Sequence, residues 1–129
     1  MGVYLTPEFD AERRRLGITD KILCKTAQKV FSGLKGSQLG KFTYKRRIAL
    51  PKVSERDGAR SIVFFNDGEH LYFFYLYAKS SLTKKKGKEI EDAEIDIFCS
   101  IAPDFIEMDQ NRINALLKEK ELFEVNCDE

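Results

Sequence analysis

Hydrophobic and polar residues alternate along Phe42–Ile48, and a period of two is typical of a half-buried β-strand. Two nearly continuous runs of β-forming residues follow, Ser61–Phe65 and His70–Tyr77. Continuous runs of this kind are typical of strands that are buried on both faces. Asp67-Gly68, between the two runs, is a strong hairpin signal. We therefore predict three consecutive strands between residues 41 and 79.

The pattern before these strands predicts one more strand and two helices. A short β-prone segment, Val3–Thr6, precedes a predicted helix over Pro7–Leu16, which has proline at its first turn and Gly17 after its end. Apolar residues then recur at helical spacing from Asp20 to about Leu34, with Thr19 or Asp20 as the N-terminal cap. Two amphipathic helices are therefore expected on the N-terminal side of the strands.

The remaining segments are predicted to be a loop and a helical extension. Glycines at 33, 36 and 40 indicate a connecting loop before the first long strand. Thr83 can cap a helix that Pro103 should break or kink at the preceding residue. Asp109 can cap a last helix through Lys118, and Leu122–Val125 forms either a terminal strand or a docked segment.

The predicted order of elements is β-α-α-β-β-β-α-α, which defines an α+β fold with a small antiparallel sheet. The length of 129 residues suits one domain. We expect a core over about residues 1–80 and a C-terminal helical extension over about residues 81–129.

The net charge of +1 conceals a strong asymmetry along the chain. Residues 41–60 carry seven basic and two acidic side chains, and residues 79–88 add five lysines. Residues 89–129 carry thirteen acidic and three basic side chains. The basic region suggests a polyanion as partner. The acidic region is either a solvated helix face or a counterweight to the basic region.

The cysteines and the first residues of the sequence give indications of the cellular compartment. Cys24, Cys99 and Cys127 are isolated, and their odd number argues against a disulfide framework, so we expect reduced thiols and core-filling roles for Cys24 and Cys99. The first residues lack the charged start and apolar run of a signal peptide. No apolar run approaches the roughly 18 residues that a membrane span needs. These features favour a cytoplasmic protein.

Common catalytic arrangements are missing from the sequence. His70 is the only histidine, lies beside Glu69 at the start of a strand, and is expected to be structural. No nucleotide-binding, zinc-protease or calcium-binding motif is present, and we expect neither a metal nor another cofactor. The paired carboxylates near residues 89–96 are typical of a solvated helix face.

The basic side chains of the strands are the strongest functional candidates. Lys45 and Arg47 are two residues apart on the first strand and therefore point to the same face, whereas Arg46 points to the other. Arg60 opens the second strand and Lys79 closes the third. We predict a cationic sheet face formed by Lys45, Arg47, Arg60 and Lys79. We expect the C-terminal helices to pack behind the sheet and to leave this face open.

Such a face has the groups that RNA cleavage without a metal requires. The reaction needs a base for the 2′-OH, a cation for the pentavalent phosphate and a proton for the leaving oxygen. Repulsion among neighbouring cations favours the neutral form of a lysine, which makes it a candidate base. Arginine can hold a phosphate through two hydrogen bonds. The spacing alone leaves phosphate binding and RNA cleavage equally open.

The residues quoted above resemble those of the RelE/ParE superfamily of bacterial type II toxin–antitoxin toxins, and most closely its longer RelE-like branch. The resemblance rests on Tyr44-Lys45-Arg46-Arg47, on Gly58-Ala59-Arg60 before the strand Ser61–Phe65, and on Tyr77-Ala78-Lys79. It covers about residues 1–80, and the predicted order of elements matches the family fold.

The resemblance implies a toxin that cuts mRNA on the ribosome without a metal. It implies that Lys45 and Arg47 act as base and charge stabiliser, that Arg60 binds the scissile phosphate, and that Lys79 is the basic residue that ends the last strand. The sequence departs from the family at Ser80, where the family has a catalytic arginine, and no tyrosine follows in the next helix.

The resemblance also implies partners, namely a cognate antitoxin, of helix-turn-helix type by our expectation, and the ribosome with its mRNA. Two other functions stay open: a gyrase inhibitor of the ParE kind without catalysis, and a plain RNA- or ribosome-binding module. Six further residues are candidates for RNA binding: Lys41, Arg46, Lys52, Tyr77, Lys84 and Lys85.

Overall fold

The computed structural model describes residues 2–68, 70–78 and 92–127. The strands in these residues are β1 (Gly2–Leu5), β2 (Ser37–Gly40), β3 (Thr43–Ile48), β4 (Ala59–Phe65), β5 (His70–Ala78) and β6 (Phe123–Glu124). The helices are α1 (Pro7–Arg15), α2 (Asp20–Phe31), α3 (Asp92–Ile106) and α4 (Gln110–Lys118). The predicted site residues Lys79, Lys84 and Lys85, together with Ser80 and the predicted cap Thr83, lie outside the described ranges.

The strands form one sheet in the order β2-β3-β4-β5-β1-β6. The predicted hairpin neighbours β3, β4 and β5 pair antiparallel. Strand β1 runs parallel to β5, with Val3 opposite Leu71, so the sheet is mixed rather than purely antiparallel. Its parallel direction follows from the long path between them, since α1, α2 and three strands separate β1 from β5 in the chain. The predicted α+β class is confirmed.

Strand β2 corrects the prediction of a connecting loop at residues 33–40. Ser37 pairs with Lys45 and Gln38 with Tyr44, which adds an edge strand beside β3. Gly36 makes this approach possible, because its φ is +93° and a Cβ there would lie 2.2 Å from the carbonyl oxygen of Lys45. The glycine that was expected to mark a loop instead lets the chain turn closely onto the sheet.

Polar residues cap three of the helices, and two of these caps, Thr19 and Asp109, are predicted from the sequence. Thr6 caps α1 by accepting a hydrogen bond from the Phe9 N–H at 3.2 Å, and its hydroxyl donates to the Phe74 carbonyl at 2.9 Å. Thr19 caps α2 and Asp109 caps α4. Of the predicted break or kink at Pro103, the break is wrong, because α3 continues to Ile106. Packing of α3 against the sheet outweighs the local effect of the proline.

Each face of the sheet is covered by a different pair of helices. On one face, α1 and α2 contribute Phe9, Leu23 and Val30 to a core that includes Phe73. On the other face, Phe98 of α3 and Ile113 of α4 pack against Ile62, Phe64 and Tyr72. We expected the C-terminal helices to pack behind the cationic face. They lie instead on that face, because Ile62 and Phe64 share it with Arg60 and offer them an apolar surface.

The C-terminal segment forms one edge of the sheet and is joined to α2 by a disulfide. Strand β6 pairs with β1, and the Val125 N–H donates to the Val3 carbonyl at 2.9 Å. Cys24 and Cys127 form a disulfide with a Cα–Cα distance of 5.4 Å. The expectation of reduced thiols is therefore wrong for these two cysteines. The pairing was hidden by their separation of 103 residues, and Cys99 is the free cysteine that makes the number odd.

No helix in the described ranges is both long enough and apolar enough to cross a membrane.

Candidate RNA-contacting site

Two rows of side chains cross the sheet on the face that α3 and α4 partly cover. In the first row, Arg47 of β3 lies opposite Arg60 of β4, and Arg60 lies opposite Tyr77 of β5. In the second row, Lys45 lies opposite Ile62. Because side chains of a strand alternate between faces, Lys45, Arg47 and Arg60 share one face, as the sequence predicts.

Lys45 and Arg47 border a shallow concavity on this face. The concavity has a volume of about 260 Å³ and is also lined by Gly36 and Ser37, where the chain enters β2, and by Arg46 and Arg60. The Lys45 side chain is half-buried, whereas Arg47 is exposed. Arg47 forms no ion pair with the residues that the structure describes. The concavity therefore offers an exposed guanidinium beside a partly shielded amine, a combination that suits an anion.

Arg60 differs from Arg47 because its guanidinium is engaged within the protein. The residue is only 2% exposed. Its Nη1 donates to the carbonyls of Glu55 and Ala59, each at 3.2 Å, and its Nη2 donates to the Arg56 carbonyl at 2.8 Å. Its predicted role on the scissile phosphate stays a prediction, and it requires a phosphate to reach a guanidinium that is almost fully buried.

The structure places Arg46 on the opposite face, as its position on the strand predicts. It is 8% exposed, and its Nη1 lies 3.3 Å from a carboxylate oxygen of Glu55. Lys29 of α2 contacts the other oxygen of the same carboxylate. Arg46, a predicted RNA contact, is therefore a partly shielded member of an ion-pair cluster on the opposite face, although the residue also lines part of the concavity.

Glu55 contacts the predicted site residues Arg46 and Arg60, but the sequence did not predict it as part of the site. Partial burial raises the pKa of its carboxyl group, but the hydrogen bond from Lys29 and the charge of Arg46 outweigh burial and hold the pKa below its ordinary value. Its backbone carbonyl accepts from Arg60. No spacing rule identifies such a residue in advance, because both of its charged partners come from other elements.

Two further predicted contacts lie at opposite ends of β3. Lys41 precedes the strand, is exposed, and its Nζ lies 5.1 Å from the centre of the Phe42 ring. Lys52 follows the strand in the loop that leads to β4, and it is also exposed. Lys52 is therefore the one that shares an end of the sheet with Arg47 and Arg60.

Tyr75 and Tyr77 continue the same face onto β5. Their ring centres are 5.9 Å apart. Tyr77, the predicted RNA contact, is 9% exposed, whereas Tyr75 is 39% exposed and its ring lies 5.3 Å from that of Phe98. Of the two aromatic rings, Tyr75 has the more accessible surface for stacking with a base.

His70 lies at the other end of β5, where a structural role was expected. Its ring meets that of Tyr4 edge to face, with centres 5.2 Å apart. In the described ranges, no three side chains of histidine, cysteine, aspartate or glutamate come together in a group that could hold a metal ion.

The fold and this face are those of a small α+β protein with a cationic sheet surface. Residues 1–125 match the family model described as RelE toxin of RelE / RelB toxin-antitoxin system, and the chain belongs to this RelE toxin family. Neither a curated protein nor a solved structure matches the chain significantly. The protein is thus a toxin of a toxin–antitoxin system, and its family implies a cognate antitoxin as partner.

Proposed function

We propose that this toxin is a metal-independent endoribonuclease that cuts mRNA on the ribosome and so inhibits translation. The observation that carries the proposal is the pairing of Lys45 and Arg47 on one face, at the border of a concavity of about 260 Å³. Membership of the RelE family supports it as well. The cognate antitoxin, which we propose to be of helix-turn-helix type, would keep this face inactive until it is removed.

In the proposed reaction, Lys45 is the general base that takes the proton of the 2′-OH. The 2′-oxygen then attacks the adjacent phosphorus, and the bond from phosphorus to the 5′-oxygen breaks. The products are a 2′,3′-cyclic phosphate and a 5′-OH end, since the leaving 5′-oxygen takes a proton from solvent water. Arg47 stabilises the negative charge that develops on the non-bridging oxygens. Lys79 stays a predicted contributor to the same face.

Two observations favour a second function, an RNA- or ribosome-binding module without turnover. The guanidinium of Arg60 is occupied by backbone carbonyls, and Ser80 stands where the family has an arginine. A toxin with fewer catalytic cations could still occupy the ribosome through Lys45, Arg47 and Lys52 and block translation.

Purified ribosomes programmed with a defined mRNA distinguish these functions. The ribonuclease predicts new transcript ends, detected by primer extension, that disappear with Lys45→Ala and Arg47→Ala. Lys25→Ala on the opposite side of the molecule serves as a control and should cut normally. Blocked translation with intact mRNA would favour the binding module. Intact translation combined with inhibition of purified gyrase would contradict both and support a ParE-like activity.

A further inference from the structure

The loop between β3 and β4, residues 49–58, has a defined conformation. The Val53 N–H donates to the Leu50 carbonyl at 2.9 Å, which closes a tight turn around Lys52. Lys52 has a φ of +64°, a left-handed conformation that residues other than glycine rarely adopt. A strained residue of this kind persists only where its surroundings determine it, and such residues concentrate at functional sites.

Arg60 holds the second half of this loop from the cationic face. Its three hydrogen bonds reach the carbonyls of Glu55, Arg56 and Ala59. Gly58 brings the loop close to the strands, since a Cβ there would lie 2.4 Å from the Ile48 carbonyl oxygen. The loop carbonyls of Glu55 and Arg56 thus accept hydrogen bonds from the guanidinium rather than from a neighbouring strand.

Glu55 holds the same loop from the other face. Its carboxylate contacts Arg46 of β3 and Lys29 of α2, while its backbone carbonyl contacts Arg60. Arg46 and Arg60 point to opposite faces of the sheet. Glu55 therefore contacts arginine side chains on both faces of the sheet. The loop is fixed from two sides.

We propose that Arg60 and Glu55 are positioning residues that hold loop 49–58 at the end of the cationic face, where Lys52 binds a phosphate of the RNA backbone. This inference rests on the proposed function in taking RNA as the ligand, but it does not require cleavage. Lys52 is exposed at the tip of the turn, and an ammonium there acts as a point charge on a phosphate. Arg47 supplies the neighbouring cation from the strand that enters the loop.

The direction in which Glu55→Ala changes the affinity for RNA distinguishes a positioning role from a purely electrostatic one. Glu55 is acidic, so its removal would strengthen RNA binding if the loop only contributed charge. Positioning predicts the reverse: Glu55→Ala frees the loop and weakens binding. Affinity is measured by fluorescence anisotropy with a fluorescein-labelled single-stranded RNA oligonucleotide, and Glu107→Ala, an acidic substitution remote from the loop, is the matched control.

The salt dependence of RNA binding distinguishes the positioning role of Arg60 from the phosphate contact of Lys52. A lysine that contacts one phosphate contributes about 0.7 to the slope of log affinity against log salt for single-stranded nucleic acid. Lys52→Gln should reduce the slope by about that amount. Adding Arg60→Ala to Lys52→Gln should leave the slope unchanged, because a positioning residue touches no phosphate. A further decrease of about 0.7 would show that Arg60 itself binds phosphate and would overturn the proposal.

Hydrogen exchange tests the positioning directly and also reports whether each variant folds. Arg60→Ala, Arg60→Lys and Glu55→Ala should all speed exchange of the Val53 and Gly58 amides while the amides of β4 and β5 stay protected. Arg60→Lys keeps the charge but lacks the planar fork whose two terminal nitrogens reach the three carbonyls, so it should not rescue the loop. Unchanged exchange, or wild-type RNA affinity in Glu55→Ala, would overturn the proposal. Normal RNA binding without any cleavage would instead contradict the proposed function alone.

Discussion

Arg47 and Arg60 lie directly opposite each other on β3 and β4. Like charges in this position repel, yet the two side chains have different surroundings. The guanidinium of Arg60 is buried and bonded to backbone carbonyls, whereas Arg47 is exposed beside the concavity. The two arginines therefore differ in role. Arg60 holds the loop, whereas Arg47 is available to a ligand.

Adjacent arginines on β3 should respond differently to substitution by alanine. Arg47→Ala should change the free energy of unfolding by no more than about 0.5 kcal/mol, because the side chain is exposed. It should nevertheless reduce cleavage by about 10²–10³-fold, the usual effect of losing one group that stabilises transition-state charge. Arg46→Ala should cost about 1–3 kcal/mol of stability, since it removes a shielded partner of Glu55. Urea unfolding and the ribosome cleavage assay measure the two effects.

The Glu55 cluster predicts a loss of stability in acid. The folded-state pKa of Glu55 is lowered, so its contribution to stability is fully present above the ordinary value of 4.5 and is lost as the pH falls through the lowered value. Asp10 and Glu12 also have lowered pKa values, so the wild-type curve alone does not isolate Glu55. The difference in melting temperature between wild type and Glu55→Gln should shrink as the pH falls below about 4.5. A difference that is constant with pH would contradict this account of the cluster.

The disulfide predicts a redox-dependent stability. Cys24 and Cys127 close a loop with a sequence separation of 103 residues, and breaking such a link should cost about 2–5 kcal/mol. Wild type should melt at a lower temperature after reduction, and Cys127→Ser should melt at that lower temperature with or without reductant. Cys99→Ser is the matched control and should keep the redox dependence. Equal melting temperatures for oxidised and reduced wild type would show that the link contributes nothing.

Two neighbouring glycines offer a test of how β2 reaches the sheet. Both have positive φ, but a Cβ on Gly36 would collide with the Lys45 carbonyl, whereas a Cβ on Gly33 would meet open space. Gly33→Ala should cost about 1–2 kcal/mol through backbone strain alone. Gly36→Ala should cost roughly 3 kcal/mol, because the edge strand must also move. Equal costs, measured by urea unfolding, would mean that this close approach has no energetic role.

The sequence predicted what local patterns determine. Thr19 and Asp109 are the predicted capping residues at the expected helix starts, and the alternation along β3 correctly placed Lys45 and Arg47 on one face and Arg46 on the other. The family resemblance came from the same basic residues and is confirmed over residues 1–125.

What the sequence did not predict depends on contacts between distant segments. Strand β2 forms because β3 is there to pair with it, and α3 continues through Pro103 because its residues pack on the sheet. The Cys24–Cys127 link requires β6 to bring the C-terminal segment to α2. The sequence predicts Arg60 as a cation of the sheet face. It does not reveal that carbonyls of a neighbouring loop surround the guanidinium.

The chemistry of the transcript ends tests the central claim most directly. After induction of the toxin in growing bacteria, the 3′ ends of mRNA fragments are mapped and their terminal phosphates are identified. The account predicts 2′,3′-cyclic phosphate ends within translated regions, which disappear when Lys45 and Arg47 are both replaced by alanine. Growth arrest by the wild-type toxin with full-length transcripts and no cyclic phosphate ends would contradict it.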